Sequence, residues 1–351
     1  MSTQALIITI GPWHERPWWW DHIKDGINGC HLEYVRIATT GKRKEIQLSL
    51  VHAPLFTVKI IKALRKHRPS YVFTFECGWA SFLVSALQTF GFMRSMKHVI
   101  LQFIMREKDS SLRSKIKYLI MRFIFSSVHI AVCSSTAEAS YYLKAFRWNE
   151  GRIRFIPFHL DPEYLNAPHD GSGGFILTAG RTFRDYDTFL DAVTGIDHRV
   201  IVVASPLNID INNLPENVSV QYDLSIAELT DLMRKSSIVV VPLVDRRIST
   251  GQSVFLQAMA MGKAVVVTRT AGTVDYIDHL ENGLLVPPGD SREMRKAIEY
   301  LMGNDEERAR MGKNARQRVI NSCLPRHYFE NVKNLVCQQE NDWISDVTQK
   351  A

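Results

Sequence analysis

The stretch Ser249-Thr-Gly-Gln-Ser-Val-Phe-Leu-Gln-Ala-Met-Ala-Met-Gly-Lys-Ala-Val-Val-Val-Thr268 decides the fold. Ahead of it, Pro242 ends a β-rich run, and Ser249-Thr250-Gly251 are small residues suited to opening a helix. Helical spacing holds over 254–261, Gly262 closes the helix, and the apolar run Ala264–Thr268 reads as a buried strand. A helix that opens at the carboxyl end of a strand points its free N–H groups at the strand end, where they favour an anion.

Working outward, the same alternation fills the chain. Toward the carboxyl terminus lie a strand at 284–286 and helical patterns over 292–302 and 306–321. Toward the amino terminus, strands are expected at 238–242, 218–221, 200–204 and 175–178. Before the Pro/Gly/Ser segment 167–174, strands are expected at 5–10, 71–75, 99–103, 129–133 and 154–157, with helices over 55–67 and 111–125. Alternating β and α elements predict parallel sheets wrapped by helices, and two such runs predict two Rossmann-like domains facing across a cleft. The expected boundaries are 1–168 for the first domain and 169–325 for the second. A tail of 326–351, with apolar residues at helical spacing after Pro325, is expected to cross back onto the first domain.

Composition narrows the class further. With 351 residues, 46% hydrophobic and 23% charged, the chain has the make-up of an ordinary globular protein of two domains. Ala5–Ile10 lacks a preceding basic region and a small-residue cleavage site, so a strand is expected there rather than a signal peptide. The longest apolar candidate, 119–133, is broken by Arg122, Ser126, Ser127 and His129, which argues against a membrane span. Five scattered cysteines without a Cys-x-x-Cys pair argue against disulfides and a zinc site and suit the cytoplasm. Charge is uneven: residues 1–168 carry 23 Lys and Arg against 12 Asp and Glu, a net +11, and residues 169–351 carry 20 against 24, a net −4. The front half therefore calls for an anionic neighbour. Nucleic acid is not the expected one, because no recognisable nucleic-acid module accompanies the basic residues.

Continued through Ala271-Gly272-Thr273, through Glu281-Asn-Gly-Leu-Leu-Val-Pro-Pro-Gly-Asp290 and on to Met311-Gly312-Lys313-Asn314-Ala315-Arg316, the opening segment resembles the retaining family-4 glycosyltransferases, of GT-B fold, over residues 238–319. The resemblance implies a transferase of the polysaccharide-assembly type, using a nucleoside diphosphate sugar as co-substrate and no metal or other cofactor. Ser249 and Gln257 stand where the family usually has a pair of Glu. Gln257 keeps an amide oxygen able to accept from ribose hydroxyls, without charge assistance. Ser249 does not supply the carboxylate expected beside the transferred sugar.

Donor binding is expected at Thr250, Gly251, Gln252 and Ser253, and at Gly180 and Arg181, where the sequence resembles the family's diphosphate loop. Arg184 is the candidate for the second cation, against the alternative of a surface charge paired to Asp185 or Asp187. Tyr222 stands where the family's nucleobase packs, or else is a core aromatic. Arg181, Arg184, Ser249 and Glu76 are the candidate catalytic residues, the two arginines and the helix terminus stabilising the leaving diphosphate. Glu76 is read as an acceptor-orienting carboxylate or as a cap.

The acceptor side rests on Trp13, His14, Glu15 and Arg106. The four tryptophans of residues 11–20 either stack on sugar faces or wedge that loop into the core. Between Arg94 and Arg122 there are eight basic residues against Glu107 and Asp109, and the helix expected at 111–125 is amphipathic. Its apolar stripe is expected to turn inward and its cations outward, toward an anionic membrane where a lipid-linked acceptor lies. The whole reads as a cytoplasmic, peripheral glycosyltransferase of capsule, exopolysaccharide or lipopolysaccharide synthesis, acting on a glycan or lipid-linked acceptor. A sugar-nucleotide epimerase and a non-catalytic scaffold of the same fold are the alternatives.

Overall fold

The computed structural model describes residues 4–10, 31–37, 49–167 and 174–335. By contact these form two units: the described residues up to Ile156 together with those from Tyr328 onward, and Pro157–His327. Trp13, His14, Glu15 and the tail beyond residue 335 lie outside the described residues.

The first unit runs β1 (Gln4–Ile10), β2 (His31–Ile37), α1 (Ser49–His67), β3 (Tyr71–Phe75), α2 (Trp79–Thr89), β4 (Lys97–Leu101), α3 (Leu112–Ile124), β5 (Ile130–Cys133), α4 (Thr136–Phe146) and β6 (Ile153–Phe155). Its sheet is ordered β2-β1-β3-β4-β5-β6, every pair parallel. A helix over residues 325–335, α10, adds Tyr328, Phe329 and Val332 to a core made by Ile7, Tyr71, Phe73, Val99 and Ile130. The strand expected at 99–103 ends at Leu101, because Gln102 turns with φ +55 and sends Phe103 into a cluster of rings. Phe103 meets Phe125, Tyr142, Phe146 and Trp148 edge-on at centroid distances of 4.9–5.6 Å.

Under β3 runs a buried polar chain. His98 Nε2 bonds Thr74 Oγ1 at 2.8 Å, His98 Nδ1 bonds Ser85 Oγ at 3.1 Å, and Thr74 Oγ1 bonds Ser81 Oγ at 2.7 Å. Ser81 Oγ also donates to the carbonyl of Glu76, whose φ of +56 is unusual for a residue with a side chain. Complete burial with only neutral partners pushes the His98 pKa from 6.5 down to about 3.

α3 departs from the inward-facing stripe expected of it. Ser114, Tyr118 and Ile124 form its buried face, while Leu112, Ile116, Leu119, Ile120 and Phe123 are exposed. No helix among the described residues is long and apolar enough to cross a membrane.

The second unit runs β7 (Ile176–Ala179), α5 (Tyr186–Val193), β8 (Val200–Ala204), β9 (Val218–Tyr222), α6 (Ile226–Lys235), β10 (Ile238–Val241), α7 (Gln252–Ala260), β11 (Ala264–Thr268), β12 (Leu284–Val286), α8 (Ser291–Met302) and α9 (Asp305–Ser322). Its parallel sheet is ordered β12-β11-β10-β7-β8-β9. The strands β7, β8, β10 and β11 are buried along their whole length, as their near-continuous Val, Ile, Leu and Ala runs require of a sheet covered on both faces. Gly262, at φ +78, ends α7 and abuts Gly312 in α9 so closely that a Cβ on Gly312 would overlap the Gly262 carbonyl.

Two outcomes follow from this packing. Gly312→Ala should destabilise the protein by about 1–3 kcal/mol, because the rigid backbone opposite leaves the methyl no room; urea denaturation measures it. As pH falls from 6.5 toward 3 the unfolded chain takes up a proton on His98 that the folded chain refuses, so stability drops with pH. The slope from this one group reaches about 1.4 kcal/mol per pH unit, and His98→Asn should flatten it by that amount in urea midpoints taken across the window.

Candidate functional site

Chain order reverses in the second sheet between β7 and β10, and in α/β sheets ligands bind in the crevice at such a reversal, outside the carboxyl ends of the strands. Three backbone features shape that crevice. Gly180 sits at φ +138, and the Arg184 side chain folds across the space a Cβ would fill. Tyr186 donates from its hydroxyl to the Gly180 carbonyl at 2.7 Å, and Asp185 caps α5 through Thr188 N at 3.2 Å. Asp185 N donates to Pro242 O at 3.3 Å and Val244 N to Phe183 O at 3.1 Å, tying the two loops into one wall.

The two arginines of the first loop have different situations. Arg181 is exposed and makes a 3.4 Å ion pair with Asp223, which follows β9. An exposed pair of this kind is worth at most about 1 kcal/mol, so Asp223 yields Arg181 to an incoming anion at little cost. Arg184 spends Nε on Ala179 O at 3.0 Å and Nη1 on Thr182 O at 2.9 Å, and desolvation lowers its pKa. Its geometry is that of a brace holding the loop that carries Arg181. Tyr222, at the end of β9, is partly buried against the core of the unit.

The first turn of α7 is the second half of the crevice. Gly251 occupies its N-cap position at φ +88 without a side chain to cap it, and the N–H groups of Gln252 and Ser253 find no acceptor among the described residues. Ser253 is exposed, whereas Ser249 and Thr250 are buried. The Thr250 hydroxyl has no hydrogen-bond partner at all among the described residues, which is costly for a buried polar group unless a ligand completes it. From behind, Gly272 presses on this turn: a Cβ there would lie 2.8 Å from Thr250 N and 2.9 Å from Ser249 Cα. Gln252 is occupied in the same contact, donating from Nε2 to Gly272 O at 3.0 Å. Gln257, one turn further on, donates from Nε2 to Tyr164 Oη at 3.1 Å, and its amide oxygen accepts nothing from the described residues.

Other residues of the long motif serve the fold. Lys263 is buried and donates from Nζ to the carbonyls of Arg234 and Ser236, both at 2.5 Å, which closes the carboxyl end of α6 where a cation is favoured. Asn282 accepts from Asp278 N at 3.0 Å, and a Cβ on Gly283 would lie 2.8 Å from Val265 Cγ2. Arg316 donates to the carbonyls of Ala260 and Leu165.

In the first unit, Glu76 and Arg106 are exposed and follow the neighbouring strands β3 and β4 at the carboxyl edge of that sheet. Glu76 N donates to Leu101 O at 2.9 Å, which fixes the turn it occupies.

Two features, one in each unit, escape the reading of the sequence. Arg246 and Arg247 are exposed on the loop between β10 and α7, and the Arg246 guanidinium lies 5.1 Å from the Phe183 ring centroid. A basic pair in the loop between a strand and the next helix is the signal that would have found them. Glu138 is buried, accepts from Ser134 N at 3.2 Å and donates from its own N to Ser135 Oγ at 3.0 Å, opening α4. The spacing of Ser135 and Glu138 carries that signal. Among the described residues no three His, Cys, Asp or Glu converge as a metal-binding group.

Residues 174–304 match the model of the family Glycosyl transferases group 1. An uncharacterised glycosyltransferase of Methanocaldococcus jannaschii is 26% identical over 164 residues, which covers 45% of this chain and 46% of that protein. The D-rhamnosyltransferase WbpZ of Pseudomonas aeruginosa is 28% identical over 153 residues, 41% of this chain and 40% of WbpZ. The chain thus spans less than half the length of these curated relatives. Among solved structures, sucrose-phosphate synthase of Thermosynechococcus elongatus superposes with a TM-score of 0.71 at 16% identity, over 96% of this chain and all of that one. HepE of Anabaena, solved with UDP, superposes with a TM-score of 0.67 at 14% identity, over 97% of this chain and all of HepE. The chain has the GT-B fold, and its second unit carries the match to glycosyl transferases group 1.

Proposed function

We propose that the chain is a retaining, metal-independent glycosyltransferase that moves a sugar from a nucleoside diphosphate sugar to a glycan or lipid-linked acceptor in surface-polysaccharide synthesis, in the cytoplasm. The observation that carries this reading is the turn Thr250–Ser253, where a buried hydroxyl and two amide donors, without partners among the described residues, face the same edge as the exposed Arg181. That set suits a diphosphate, whose oxygens accept from all of them. Relatives support the class of reaction: WbpZ is a rhamnosyltransferase, the capsular polysaccharide glycosyltransferase CapM of Staphylococcus aureus is 28% identical over 83 residues, and HepE was solved with UDP-glucose.

In this reading, charge builds on the diphosphate as the bond from its oxygen to the anomeric carbon breaks, and Arg181 with the α7 amides meets that charge. Arg184 holds the Gly180–Arg181 loop in place. The acceptor hydroxyl attacks from the face the diphosphate leaves, and its proton passes to the departing phosphate oxygen. Ser249 then suffices where the family has a carboxylate, and Gln257 accepts from the ribose through its amide oxygen. Glu76 and Arg106 orient the acceptor.

A thermal-shift panel of UDP, GDP, ADP and CMP, with their common sugars, tests this on the wild type, Arg181→Ala and Thr250→Val. One nucleotide should stabilise the wild type, by about 2.7 kcal/mol at a hundred times its dissociation constant. Arg181→Ala should lose about tenfold or more in affinity, the worth of a charge-assisted hydrogen bond. Thr250→Val should leave the ligand-free protein as stable as before, because its hydroxyl bonds none of the described residues, and still weaken the nucleotide. If no nucleotide shifts the wild type, the scaffold reading replaces this one.

A further inference from the structure

The exposed face of α3 is an apolar surface without a partner among the described residues. Its five outward residues range from 49% exposed at Ile116 to 72% at Leu112, and Phe90 and Phe92, on the turn after α2, are 66% and 62% exposed. Phe90 meets Phe123 edge-on at 6.0 Å, which joins that turn to the helix in one patch. Apolar residues scattered singly on a surface need no explanation, but a contiguous patch of this composition marks a docking site.

The charges around the patch decide what docks. At 3.6 residues per turn, Leu112, Ile116, Leu119, Ile120 and Phe123 share one side of α3, opposite the buried Ser114 and Tyr118. Arg113 and Lys117 then fall along one flank of the apolar stripe and Lys115 and Arg122 along the other, with no acidic residue in the helix. Arg94 lies across the turn between Phe90 and Phe92, its Nη2 3.1 Å from where a Cβ on Gly91 would be. A protein partner would match this band with acidic residues at particular points. An anionic bilayer matches it everywhere: the stripe enters the acyl boundary while the flanking lysines and arginines reach up to phosphates.

We propose that α3 and the Phe90–Arg94 turn dock the protein on an anionic membrane surface, lying in the interface with the apolar stripe inserted. The contact is opposite in sense to one made by cations alone, since the hydrophobic face, not a basic one, leads. It stands independently of the donor site in the second unit.

Flotation of the full chain with vesicles tests it, using phosphatidylcholine alone and phosphatidylcholine mixed with phosphatidylglycerol. The wild type should float with the anionic vesicles, less so with the neutral ones, and binding should fall as salt rises. Leu119→Ser with Phe123→Ser should weaken binding about tenfold or more, with an unchanged melting temperature because both residues are exposed. Lys115→Gln with Lys117→Gln should cost about fivefold per residue on anionic vesicles. The proposal is overturned if the wild type floats with neither vesicle, or if both double variants float as it does. It is equally overturned if the patch proves to be covered by a second copy, seen as a wild-type dimer in sedimentation that the serine variant abolishes.

Discussion

A helix that begins without a cap leaves amide donors pointing into whatever lies before it, and in the second unit that arrangement is enforced from three sides. Gly251 reaches the left-handed conformation that starts α7 only because it has no side chain, which also removes any internal cap. Gly272 allows the loop after β11 to press against Ser249 and Thr250 from behind. Gly262 and Gly312 let α9 clamp the far end of the same helix. Close-packed backbone therefore fixes the position of α7, with a turn whose N–H groups and Thr250 hydroxyl have no acceptor among the described residues. Arg181 stands on the adjoining loop, held by a weak exposed pair rather than a strong one.

Most of the second unit was legible because a strand buried on both faces must be written in continuous Val, Ile, Leu and Ala, and its turns in Gly. The motif mixes residues of the site with residues of the frame. Lys263 and Arg316 belong to the frame, donating to the carbonyls of Ser236 and Leu165. Only the fold separates the two kinds, since a charge is equally visible in the sequence whether it faces a ligand or a helix end. The same limit applies to Arg184, whose role as a brace depends on Gly180 leaving room for it.

The first unit was harder to read. β2 has Glu33 and Arg36 within it, which break the apolar pattern expected of a covered strand. α2 starts at Gly78 without a side-chain cap, and so gives no start signal. α3 was visible as an amphipathic helix, but periodicity states only that an apolar face exists. Whether it turns to the sheet or to solvent depends on Ser114 and Tyr118, polar residues that satisfy themselves inside: Tyr118 Oη donates to Arg106 O at 2.8 Å and Ser114 Oγ accepts from Asp109 N at 3.0 Å. Those bonds allow a polar face to be buried and free the apolar one for other use.

The central claim is that the uncapped turn of α7 holds a diphosphate. A crystal structure of the chain with UDP tests it most directly. The account requires phosphate oxygens within hydrogen-bond distance of the Gln252 and Ser253 amides and of Thr250 Oγ1, with Arg181 turned away from Asp223 to meet them. A diphosphate bound elsewhere on the chain, with the Thr250 hydroxyl still unpartnered and the Arg181–Asp223 pair intact, would contradict it.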